Sequence, residues 1–152
     1  RETAVRGMLK ARPDIGMLGP FRAGKCLVVN GFSANDPTNF ASLLNVCGER
    51  GDYLLLFNHR EDRGYRLDAF AQTLRQARRP PAAIAVIGSN KAWAARYLHK
   101  KCGIEARSVA KPEAWLYSPQ PQTLGQVLCV GNIRGEGKSL IEKLKGSDQK
   151  NG

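Results

Sequence analysis

Four short apolar runs, at 26–29, 53–57, 83–87 and 127–130, each lead into a stretch with helical spacing, and this alternation is what most restricts the fold. None of the runs alternates strictly with polar residues, as expected of parallel strands covered on both faces. Phe40, Leu43, Leu44 and Cys47 fall at i, i+3, i+4 and i+7 and mark one helix face. Pro37 suits the first turn of that helix, with Asp36 before it as N-cap. Leu67, Phe70, Ala71 and Leu74 mark a second helix that must stop before Pro80 and Pro81. Trp93, Ala94, Tyr97 and Leu98 mark a third, and Leu140, Ile141 and Leu144 a fourth. A weaker strand is expected at 107–110 and a short helical turn at 112–117. The proline-rich segment 118–126 reads as a connection without regular structure. Together these elements predict an α/β fold, a doubly wound and mostly parallel sheet with right-handed crossovers.

A chain of 152 residues is enough for one domain with one proper core. The opening RETAVRGMLKARPD is charged and starts mid-pattern, so the natural polypeptide is expected to extend upstream. Residues 1–20 read as a linker or helix from a preceding domain, 21–146 as the folded domain and 147–152 as a flexible tail. No apolar run approaches the roughly 20 residues that cross a bilayer, and no signal-peptide pattern is present, which predicts a soluble domain. The four cysteines, Cys26, Cys47, Cys102 and Cys129, show no C-x-x-C spacing; Cys26 and Cys129 lie within apolar runs as small hydrophobes. A reducing cytoplasmic compartment fits that usage.

Lysine and arginine outnumber acids 24 to 13, a formal charge of +11, which favours anionic partners. The sequence has neither the stacking-aromatic motif of an RNA-binding sheet nor a helix-turn-helix, so no specific nucleic acid is expected. Ordinary solvated helix faces account for most of the charge.

Ligands of open α/β sheets bind beyond the carboxyl ends of the strands. After the first apolar run come Asn30, Gly31, Phe32, Ser33, Ala34, Asn35, Asp36 and Pro37. Amides, a carboxylate and an aromatic ring in one turn suit a nucleotide; Asn and Asp serve equally as turn and cap residues. After the second run come Asn58, His59, Arg60, Glu61, Asp62, Arg63, Gly64, Tyr65 and Arg66. The planar fork of arginine suits phosphate or carboxylate, and an exposed ion-pair loop is the plainer alternative.

The string VNGFSANDPTNFASLL resembles the segment after the first strand of the C-terminal domain in the Mur ligase superfamily, with Phe32, Asn35, Asp36 and Pro37 on the pattern. A closer resemblance is to the ligase subunit of poly-γ-glutamate capsule synthases, in which N-x-R-x-D-R follows F-x-N-x-F-x-A-N-D-P; Asn58, Arg60, Asp62 and Arg63 match, and Arg66 follows. The resemblance covers most of this chain but only the last domain of that family's longer polypeptide. It implies a Rossmann-like domain of an ATP-dependent amide ligase that activates a glutamate or polymer carboxylate as an acyl phosphate, which an amine then attacks. It further implies Asn30, Phe32, Asn35 and Asp36 against ATP, and Asn58, Arg60, Asp62, Arg63 and Arg66 against phosphate or substrate. No catalytic residue is assigned within this domain, Mg2+ would be bound mainly by a missing central domain, and the fragment alone should be inactive. Implied partners are ATP, glutamate, poly-γ-glutamate and membrane-embedded synthase subunits, with the enzyme cytoplasmic at the inner face of the membrane.

Gly131 to Gly137 encloses five residues, one too many for a Walker A loop, so VGNIRGEGKSL reads as a glycine-rich turn into the last helix; the capsule synthase family resembles it in placing a G-N-x-x-G turn there. His59 and His99 are the only histidines, no cluster has metal-ligand spacing, and no G-x-S-x-G elbow exists. Trp93 and Trp115 are expected in the core. Two other classes stay open: a Rossmann-like nucleotide- or anion-binding module without catalysis, and a nucleic-acid module motivated by charge alone.

Overall fold

A computed structural model describes residues 20–32, 37–60, 64–131 and 136–151. Its elements are β1 (Pro20–Ala23), β2 (Cys26–Asn30), α1 (Pro37–Arg50), β3 (Leu54–His59), α2 (Gly64–Gln76), β4 (Ile84–Gly88), α3 (Lys91–Cys102), β5 (Ala106–Ser108), α4 (Pro112–Leu116), α5 (Pro119–Leu124), β6 (Gln126–Gly131) and α6 (Glu136–Asn151). The six strands form one sheet in the order β1-β2-β6-β3-β4-β5. All neighbours are parallel except β1, which pairs antiparallel with β2. The mostly parallel α/β sheet expected from the apolar runs is therefore the fold.

Both faces of the sheet are covered, which is why the central runs are continuously apolar: every residue of β3 and β6 is buried. Leu55, Phe57, Ile84, Val86, Leu128 and Val130 point to one face, where they meet α1, α2 and α3 through Phe40, Leu44, Phe70 and Leu98. The intervening Leu54, Leu56, Ala85, Ile87, Val127 and Cys129 point to the other and meet Leu116 of α4 and Leu140, Ile141 and Leu144 of α6. On the first face Phe70 takes the edges of Phe40 and Phe57 at centroid separations of 4.7 and 5.0 Å. Each such aromatic pair adds about 1 kcal/mol to its area burial.

Several local expectations change. A strand, β1, stands at the end of the segment read as linker, and it closes a two-residue hairpin through Gly24 and Lys25. Gly24 takes φ 64°, and a glycine first in a two-residue turn matches strand twist. Gln122 clasps this turn: its Oε1 accepts from Lys25 N at 2.9 Å and its Nε2 donates to Leu116 O at 2.8 Å. The proline-rich stretch contains helix α5, because Pro119 and Pro121 both sit in its first turn, where the N–H they lack has no intrahelical acceptor. α6 is continuous to Asn151, where the sequence reading places a tail. Residues 1–19, read as a possible helix, lie outside the described residues, as does the Asp36 cap.

Candidate functional site at the carboxyl edge of the sheet

β2 and β3 deliver the chain to helices on the first face, whereas β6, lying between them, delivers it to α6 on the second. The carboxyl edge around β6 is thus the switch point at which open α/β sheets bind ligands. The sequence makes this edge from backbone with few side chains. Gly31 follows β2 and donates its N–H to Cys129 O at 2.7 Å; a Cβ there would lie 2.7 Å from the same carbonyl oxygen. Gly131 ends β6 at φ 101°, and its Cβ would lie 2.4 Å from Asn58 O. Gly88 ends β4 at φ 98°, with its Cβ position 2.2 Å from His59 O and 2.6 Å from Asn58 Oδ1. Two positive-φ glycines therefore flank the end of β3 and leave room for the Asn58 amide above one of them.

Of the anticipated residues, Asn30 and Asn58 come to neighbouring strand ends of this edge, separated by β6. Asn30 Oδ1 accepts from Phe32 N at 3.3 Å, the local side-chain turn its residue type favours. Arg60 follows directly and is half-buried, and Arg66 stands in the first turn of α2. Asn35, Asp36, Asp62 and Arg63 lie outside the described residues. Phe32 is 1% exposed, with its ring in the second apolar core. Its place within a polar turn gives no sign of this, because the cluster it joins draws on residues from distant segments of the chain.

The edge also uses residues that were not anticipated as ligands. His59 is 3% exposed and its Nδ1 donates to Ser89 O at 2.7 Å, while Ser89 N donates to His59 O at 3.1 Å. This reciprocal clasp joins β3 to the turn after β4 and leaves Nε2 buried with no partner among the described residues. Phe57 and Trp93 lie on the His59 ring, each 6.1 Å away between centroids. Trp93, expected in the core, is 44% exposed, because it stands in the first turn of α3 beyond the rim of the sheet; Trp115 packs against the second core as expected. Asn90 caps α3 in the left-handed region, φ 53°. The signal that could have flagged this turn is Gly88-Ser89-Asn90 after an apolar run, the same polar punctuation that marks the turn after β2.

The thiols do not contribute chemistry here. Burial raises Cys26 to about 11 and Cys47 to about 12, partly offset by Arg22 and Arg50 respectively, so both stay protonated hydrophobes. Among the described residues no three His, Cys, Asp or Glu side chains are grouped to hold a metal, and no helix is long and apolar enough to cross a membrane. What the edge offers is a backbone floor with buried amides, an arginine at its rim and an aromatic beside it, suited to binding a polar anionic ligand.

Comparison with known proteins agrees with this geometry. The family described as the poly-gamma-glutamate synthase CapB C-terminal domain matches residues 16–147. The capsule biosynthesis protein CapB of Bacillus anthracis is 28% identical over 94% of this chain, and the chain spans 33% of the length of that relative. Among solved structures, a domain assigned to a UDP-N-acetylmuramate:L-alanyl-gamma-D-glutamyl-medo-diaminopimelate ligase of Haemophilus ducreyi superposes with a TM-score of 0.53. That match has 14% identity and covers 86% of this chain and 98% of the other, a likeness of fold. With the family match extending over both strand-end motifs and the switch point between them, this chain belongs to the poly-gamma-glutamate synthase CapB C-terminal domain family.

Proposed function

We propose that this chain is the C-terminal domain of an ATP-dependent amide ligase that makes poly-γ-glutamate, activating a carboxylate as its acyl phosphate. The observation that carries the reading is the convergence of Asn30, Asn58 and Arg60 on a glycine-floored switch point in a chain of this family. ATP enters as co-substrate with Mg2+ and supplies the phosphoryl group that activates the carboxylate. The residues fit such a ligand, since a floor without Cβ atoms lets phosphate or ribose approach backbone, and Asn58 and Arg60 bring donors to it. Their role is to hold nucleotide and acidic substrate in register and to offset the negative charge that builds up in phosphoryl transfer. Asn35, Asp36, Asp62, Arg63 and Arg66 are proposed to complete the site. Phe32 supports it from below. The remaining machinery would come from the rest of a longer polypeptide, which would work with membrane-embedded subunits at the cytoplasmic face.

The test is glutamate-stimulated phosphate release by the full-length protein, run beside Arg60→Ala. We expect stimulation by glutamate and a loss of about tenfold or more in the variant. Tight ATP binding without glutamate-dependent turnover, with the membrane subunits supplied, would instead leave a nucleotide-binding module without catalysis.

A further inference from the structure

We infer that the outer face of α3 is a track for the acidic polymer chain, running from the carboxyl edge of the sheet; this rests on the proposed function. The helix KAWAARYLHKKC contains Lys91, Arg96, His99, Lys100 and Lys101 and no acidic residue. Two aromatics share one side of it. Trp93 and Tyr97 stand four residues apart with ring centroids 5.3 Å from each other, and Lys101, one turn further, places its Nζ 5.6 Å from the Tyr97 ring centroid. The row Trp93-Tyr97-Lys101 therefore follows the i, i+4 line of a single face. Its length from Lys91 to Lys101 is roughly 15 Å at helical rise.

Two features separate this face from an ordinary basic helix. Among the described residues Trp93 and Tyr117 are the large hydrophobic side chains that stand exposed, and Trp93 lies at the upstream end of the track, its ring tilted toward buried His59. The track consequently begins where β3 hands the chain to Arg60. A polymer of γ-linked glutamate carries one free α-carboxylate per unit directly on its main chain, with the methylenes of that main chain between successive carboxylates. Its carboxylates fit Arg96, Lys100 and Lys101, and its methylenes fit the rings of Trp93 and Tyr97. Charge complementarity with an all-cationic helix selects the occupant, and continuity with the candidate site gives it a direction.

The experiment measures binding of a short fluorescein-labelled oligomer of γ-linked glutamate to this chain by anisotropy. Comparison is with Trp93→Ala, Lys101→Glu and the milder Lys101→Gln, each checked for folding by circular dichroism. We expect saturable binding, weakened about tenfold by Trp93→Ala and by Lys101→Glu, with Lys101→Gln between. A Trp115→Phe background leaves Trp93 as the single tryptophan, and its fluorescence should change with the same midpoint. Affinity unchanged in both strong variants would overturn the inference. So would an oligonucleotide that displaces the oligomer from the same residues with higher affinity, since the face would then read nucleic acid. Full-length phosphate release is measured separately: if glutamate stimulates it while the α3 variants bind oligomer normally, the track fails and the ligase reading survives. If release is absent, the ligase reading fails whatever the oligomer does.

Discussion

The two edges of the sheet treat their polar groups in opposite ways. At the amino edge, side chains close off the end of a helix. Gln126 Nε2 donates to Cys47 O at 3.1 Å, which also accepts from Gly51 N, and Arg79 Nη1 donates to Gly48 O at 2.9 Å, so side chains bond carbonyls in the last turn of α1. Tyr53 in turn donates its hydroxyl to Arg79 O at 2.8 Å. Gly48 lets the arginine stem pass, since a Cβ there would meet Arg79 Cβ at 2.8 Å. At the carboxyl edge, by contrast, a glycine follows β2, glycines end β4 and β6, and Asn58 and His59 at the end of β3 are buried. One edge uses side-chain donors to complete a helix end, and the other is lined by backbone that lacks Cβ atoms. A parallel sheet with both faces buried has only these two exposed ends, and the proposed site lies at the second.

The largest effect that could break this comparison comes from the glycine floor. Gly88→Ala and Gly131→Ala should each cost about 3 kcal/mol or more, combining left-handed strain with backbone overlap, read as a fall in the urea midpoint. Gly103→Ala, also at positive φ but with nothing within 4 Å of its Cβ position, should cost only about 1 kcal/mol. Equal costs at all three would show that the carboxyl edge is not tightly floored.

A second, intermediate effect sharpens the picture of a sealed interior. Thiols that titrate at 9.0 when free are held protonated in the fold, Cys26 up to about 11 and Cys47 up to about 12. The folded chain keeps protons that the unfolded chain loses, so their stabilisation is complete below pH 9 and is lost as the pH rises toward 12. The slope is at most about 1.4 kcal/mol per pH unit for each thiol. Urea midpoints taken on either side of pH 9 should fall with alkalinity, and Cys47→Ala should flatten that slope. A midpoint indifferent to pH there would mean that water reaches the thiols.

The smallest effect separates the edges most cleanly. Arg79→Ala should lower stability by about 1–2 kcal/mol through the loss of its bond to Gly48 O, and should leave ATP affinity of the full-length protein unchanged. A matching loss of ATP affinity would show that the two edges are coupled through the strands.

Much of the fold was legible because its signals are local. Continuous apolar runs could belong only to strands buried on both sides, and the stripes Phe40-Leu43-Leu44-Cys47 and Leu67-Phe70-Ala71-Leu74 located α1 and α2. Even α5 lay within reach, had both prolines been placed in a first turn rather than counted as breakers. The hairpin of β1 and β2 was likewise signalled by Gly24 and Lys25 between two short strands.

The strand-end rule singles out the carboxyl edge before any coordinates, since Asn30, Asn58 and Arg60 follow directly from where the apolar runs stop. What the sequence determined by itself is therefore the alternation of elements, the class of sheet and the polar turns at the strand ends. Each depends on residues within a few positions of one another. The tertiary structure alone decided that β6 inserts between β2 and β3, that Phe32 is covered by the second core while Trp93 is exposed, and that Gly88 and Gly131 press against β3. Those outcomes depend on pairings between segments tens of residues apart, and a local pattern carries no record of which distant backbone will lie beside it.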